Sequence, residues 1–181
     1  MSSLIGYLAQ KRDALFRLRE RAARPDARPQ PLSARVSAEG RSGIRRIRIR
    51  DFQLISDSPA SFAGYDLGPS SPELQLGVLG SCLTHTFLIQ AALLQIPLHR
   101  VEVQVDGQID PRSGQPGFET VPRNPHALRY TVALDSPASE EELAQLHAAV
   151  QANCPILHLL RDPQPIDGAL ARLPAQSDAA E

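Results

Sequence analysis

Apolar residues recur at helical spacing near the start of the chain. Leu4, Ile5, Leu8, Leu15, Phe16 and Leu18 form an apolar side, with Arg and Lys filling the rest, which predicts a helix over residues 3–23. Arg24 to Pro31 holds three prolines and reads as a linker. From Leu32 the period changes to two: Ile47 and Ile49 alternate with Arg46, Arg48 and Arg50. That pattern predicts a strand with one buried face and one strongly basic face. Glu39-Gly40-Arg41-Ser42-Gly43 supplies the turn of a hairpin, and Phe52, Leu54 and Ile55 continue the strand region. Ser56 to Ser71 is a loop rich in Ser, Pro, Gly and Asp.

A long apolar helix begins at Ser70 or Ser71. A capping hydroxyl, Pro72 in the first turn and Glu73 near the positive helix end are its start signals. Pro97 marks its far end. No Asp, Glu, Lys or Arg occurs from Leu74 to His99. Gln75, Ser81, Thr84, His85, Thr86, Gln90 and Gln95 nevertheless interrupt the run, so it reads as a core helix rather than a bilayer span. Val101, Val103 and Val105 alternate with Glu102, Gln104 and Asp106 in a half-exposed strand. Residues 107–125 form a Gly- and Pro-rich loop, and Leu128, Tyr130 and Val132 mark another strand. Ser139 with Glu142 is a capping box opening a second helix, whose buried stripe is Leu143, Leu146 and Val150. Pro155 interrupts that helix directly after Cys154.

Strands, a long buried helix, two strands and a second helix imply an α+β fold with antiparallel sheet packed on helices. The chain divides into a helical extension (1–23), a linker (24–31), a main domain (32–173) and a disordered tail (174–181). The hairpin and the long helix leave apolar surface on a lone subunit, for which dimerisation is the natural remedy.

Composition narrows the class. The chain has 181 residues, 42% of them hydrophobic, enough for one domain with a real core. A formal net charge of -1 argues against a dedicated nucleic-acid binder. Two cysteines do not make a disulfide scaffold. The N-terminus lacks the apolar stretch of a signal peptide, which points to the cytoplasm.

Cys82 lies mid-helix in Gly80-Ser81-Cys82-Leu83-Thr84-His85, where small neighbours allow another backbone close. A mid-helix thiol gains little from the helix dipole and needs a nearby cation to react near neutral pH. Cys154 precedes Pro155 and caps a short helix through Ile156 to Leu160, a position that favours a thiolate. Each cysteine is equally readable as a core residue, or the two meet in space as a reversible disulfide. His85 follows Cys82 by three residues and His158 follows Cys154 by four. These four side chains could in principle hold zinc, but satisfied histidines are the better reading and no metal is expected.

Three segments resemble the OsmC/Ohr superfamily. The first is GYDLGPSSPELQLGVLGSC from Gly64 to Cys82, a Gly-Pro-Ser-Pro-type loop entering the helix of the first cysteine. The second is IPLHRVEVQVDG from Ile96 to Gly107, where helix gives way to a valine-rich strand. The third is AAVQANCP from Ala148 to Pro155, like the second-cysteine Cys-Pro motif. The resemblance covers residues 33–162. It implies an intertwined homodimer and a thiol-dependent peroxidase acting on organic hydroperoxides, without a cofactor. Cys82 would be oxidised to a sulfenic acid and Cys154 would resolve it. Lipoylated proteins or other thiols would be the reductant. Arg41 matches the hairpin arginine that supports the thiolate, with Arg45 and Arg46 as fallbacks. Glu73 stands for the supporting acid, although that acid commonly lies one position earlier, where this chain has Pro72. The alternative from another class is a non-catalytic module binding a small apolar ligand or a protein partner. Nucleic-acid binding by the Arg41–Arg50 strand is the weakest option, and salt dependence would expose it.

Overall fold

The computed structural model describes residues 3–40, 42–162 and 164–172. Arg41 and the tail from Pro174 lie outside the described residues. Helix α1 (Leu4–Ala22) starts on Ser3, whose hydroxyl accepts from the Gly6 N–H. Strands β1 (Arg35–Ala38), β2 (Arg45–Ile49) and β3 (Phe52–Ser56) form an antiparallel sheet in the order β1-β2-β3. The first turn of that sheet uses Gly40 at a φ of +54°, a left-handed conformation that favours glycine. Helix α2 (Ser71–Leu94) follows, then the antiparallel pair β4 (Arg100–Gln108) and β5 (His126–Asp135), then α3 (Glu140–Asn153) and α4 (Pro155–Arg161).

Helix α2 is the axis of the structure. By length and composition it could cross a membrane, but β4, α1, α3 and α4 pack around it. Its Leu79, Leu83, Phe87, Ala91 and Ala92 are buried with Leu146 and Val150 of α3 and Leu157 of α4. The valines of β4 and Tyr130, Val132 and Leu134 of β5 close the other side. Glycine lets α2 and β4 approach: a Cβ on Gly80 would stand 3.3 Å from the Val105 side chain. Both capping boxes form. Ser70 and Glu73 open α2, and Ser139 and Glu142 open α3. The mixed helix and antiparallel sheet architecture is the one the residue pattern implies.

The pattern failed at β2. Its expected buried face is only half-covered, because the β1–β3 sheet packs substantially on no other element among the described residues. Val36, Phe52 and Leu54 are 57%, 62% and 44% exposed. The alternation is real, but nothing among the described residues of one copy supplies the other half of the layer. The N-terminal helix, set off by the linker, packs on the body. Leu8 is buried against α2, Lys11 hydrogen-bonds His85, and Arg12 hydrogen-bonds Gln95.

Candidate functional site

Cys82 occupies the middle of α2, on the flank facing the junction of α3 and α4. That junction is made by Pro155: the proline ends α3 at Asn153, and Cys154 becomes both the cap of α3 and the start of α4. The two sulfurs lie 3.6 Å apart and both thiols are free. Seventy-two positions of sequence separate them, so only the packing of α3 and α4 on α2 brings them together.

The thiols are not equivalent. Cys154 is fully buried in the core, whereas Cys82 is half-buried. Burial pushes the Cys82 thiol up from its ordinary value. The Ile156 N–H, in the first turn of α4, pulls it partly back; the adjacent Cys154 raises it further and the Thr86 hydroxyl lowers it. Among the described residues no cation acts on this sulfur.

A cavity of about 500 Å³ lies one helical turn from each thiol. Leu79, three residues before Cys82, and Leu157, three after Cys154, both line it, with Leu128 and Leu160. Its polar points are Tyr130, His147, Gln151 and two arginines, Arg129 and Arg161. The Tyr130 hydroxyl accepts from the Gln151 amide at 3.2 Å and lies 2.9 Å from His147 Nε2. His147 is further held by stacking on Phe87.

The other candidate residues lie elsewhere. Glu73 sits in the first turn of α2, nine residues before Cys82, roughly 13 Å along the helix axis. Its carboxylate accepts from the Ser70 N–H at 2.7 Å and the Ser70 hydroxyl at 2.6 Å, which holds it below the usual range. Arg45 donates to the carbonyls of Gly43 and Asp57 and to the hydroxyls of Ser56 and Ser58. Arg46 is paired with Glu39. His85 is turned towards Lys11 of α1, at 2.7 Å. His158 lies 3.1 Å from the Ala152 carbonyl and 3.4 Å from Asp162. Neither histidine joins the two thiols in a metal-binding cluster.

Asp57 is a positioning residue that the pattern did not single out. It is fully buried, and its carboxylate accepts from the Tyr65 and Leu67 N–H groups at 3.0 and 3.2 Å. Burial pushes this carboxyl up, but the N–H groups of Ser58, Leu67 and Tyr65, with the charge of Arg45, hold it below the usual carboxylate range. The loop it ties folds back on itself: a Cβ on Gly64 would stand 1.8 Å from the Ser58 carbonyl oxygen, and one on Gly68 2.5 Å from that of Ile55. Asp57 with these two glycines thus fixes the path into α2. The only trace in the sequence is an Asp ahead of a Gly-spaced loop.

Comparisons with known proteins agree with this arrangement. Among curated proteins no sequence matches the chain. Among solved structures, an OsmC-like protein from Mycoplasma pneumoniae superposes with a TM-score of 0.63 at 18% identity, over 75% of this chain and 91% of that one. An OsmC-like protein from Vibrio cholerae gives 0.56 at 15% identity, over 72% and 93%. An organic hydroperoxide resistance protein, OsmC, from Legionella pneumophila gives 0.51 at 16% identity, over 75% and 93%. At such identities these likenesses carry the fold. The family described as OsmC-like protein matches residues 64–167, which run from the Asp57-tied loop past both thiols. With that match spanning more than half of its length, the chain belongs to the OsmC-like protein family.

Proposed function

We propose that this chain is a thiol-dependent peroxidase that reduces organic hydroperoxides. The observation that carries the reading is a pair of free thiols 3.6 Å apart, one helical turn from a cavity walled in part by leucines. The Cys82 thiolate attacks the outer oxygen of the hydroperoxide and the O–O bond breaks. The sulfur becomes a sulfenic acid, and the alkoxide leaves as an alcohol after taking a proton. Cys154, having given up its proton, then attacks the Cys82 sulfur as thiolate, forming the disulfide and expelling hydroxide, which takes up that proton and leaves as water. A dithiol reductant of the lipoyl type restores both thiols by exchange. The order follows from exposure: half-buried Cys82 meets the substrate, and fully buried Cys154 is protected from direct oxidation. Forming the bond requires the sulfurs to close from 3.6 Å to about 2.0 Å, within reach of a small shift of α4.

Burial holds the Cys82 thiol up, so the reaction needs a cation. In this reading Arg41 supplies it within a homodimer. Glu73 acts through Ser70 by fixing the first turn of α2. The burial that pushes the Cys82 thiol up also favours a second reading, a non-catalytic module binding a small apolar ligand or a partner. Steady-state assay with a dithiol reductant separates the two. Cumene hydroperoxide should be consumed at least about tenfold faster than hydrogen peroxide, since four leucines of the pocket wall can hold its aromatic part. No turnover of either above the protein-free rate would leave only the binding module.

A further inference from the structure

We infer that the seam between α1 and the C-terminal end of α2 is a binding site for a medium-chain carboxylate, distinct from the cavity beside the thiols. A cavity of about 200 Å³ opens there. An apolar cavity of about 150 Å³ holds a benzene ring, so this one suits a chain of six to eight carbons. Ile5 and Leu8 of α1 and Ala91, Ala92 and Ile96 at the end of α2 form its walls. Its polar groups are Arg12 and Gln95. Arg12 spends one Nη1–H on the Gln95 side-chain oxygen, at 3.1 Å. Its Nε–H is shielded from solvent and has no acceptor among the described residues. A buried donor without a partner is costly, and one on a charged group more so. The guanidinium is also held in place by the Phe16 ring, 5.5 Å away.

The Nε–H itself is closed off from the cavity, so an occupant meets Arg12 at the rest of its guanidinium; it must offer negative charge there and an apolar remainder to the walls. A carboxylate supplies both charge and acceptor. A phosphate dianion would bring a second negative charge against an apolar wall that cannot solvate it. Short anions lack the apolar part, and alcohols lack the charge. The occupant bridges α1 and α2, so α1, which lies outside the family-matched residues 64–167, gains a use of its own. The inference does not rest on the peroxidase reading, because none of these residues belongs to the thiol site.

The test is calorimetric titration of the full chain with octanoate, acetate and 1-octanol. Octanoate should bind at least about tenfold more tightly than either of the others, because 1-octanol lacks the charged hydrogen bond and acetate lacks the buried methylenes. Arg12→Met keeps the apolar stem and should weaken octanoate by a similar factor. Ala9→Leu leaves Arg12 and helix propensity intact while filling the cavity, and should do the same; circular dichroism checks that α1 remains folded. Arg161→Met, on the thiol-side cavity, should leave binding unchanged, as should Cys82→Ser. No octanoate binding at millimolar concentration, equal binding of 1-octanol, unchanged binding in Ala9→Leu, or loss in Arg161→Met would each overturn the assignment.

Discussion

In the proposed peroxidase, Cys82 faces two opposing demands. Packing against the core raises its pKa, while attack on a peroxide requires the thiolate. The Ile156 N–H offsets the burial only in part. Replacing Arg41 with Ala in folded protein should therefore raise the Cys82 pKa further and slow its alkylation by iodoacetamide at pH 7. An unchanged rate would remove Arg41 from the site. The helical positions of both cysteines were legible in the sequence, because a Cys-Pro step and a small-residue helix segment constrain where each thiol sits. Their 3.6 Å separation was not legible, since it depends on how α3 and α4 pack on α2. His85 shows the same limit. Its three-residue spacing from Cys82 suggested a shared face, but α1 draws it to Lys11.

At the scale of elements, the start of α2 is set by Ser70, Pro72 and Glu73, and the break between α3 and α4 by Pro155. Those signals are local, so the sequence showed them. The Asp57 loop is not local: its carboxylate reaches N–H groups 8 and 10 residues away. Asp57 has a folded-state pKa below its unfolded value of about 3.9, so its stabilisation is present above that value. The stabilisation disappears as pH falls through the folded-state pKa. Asp57→Asn should accordingly melt below the unsubstituted protein at pH 7, with the gap in Tm narrowing as pH drops below about 4. A gap that stays constant between pH 7 and pH 3 would show that the charge on Asp57 contributes nothing.

At the scale of the whole molecule, the described residues of one chain leave a sheet without a partner layer. Val36, Phe52 and Leu54 on β1–β3 and Val78 on α2 are exposed, and Gly77 of α2 has open space where a Cβ would stand. The period-two pattern of β2 was written for burial that a single copy does not provide. A second copy laying its own sheet and helix on these surfaces would cover them, since apolar area removed from water contributes about 25 cal/mol per Å². Sedimentation equilibrium at micromolar concentration should give a dimer. A monomer at that concentration would refute the dimer and, with it, the proposed route for Arg41 to reach Cys82 across two copies.

Redox coupling of the two thiols is the central claim, and mass spectrometry after one equivalent of cumene hydroperoxide tests it most directly. The account predicts one Cys82–Cys154 disulfide within each subunit, because a sulfenic acid condenses fastest with a thiol already beside it. In Cys154→Ser the reaction should stop at Cys82 sulfenic acid and proceed to sulfinic acid with excess peroxide, while Cys82→Ser should keep Cys154 reduced. Folded protein that leaves both cysteines reduced after the pulse would contradict the account.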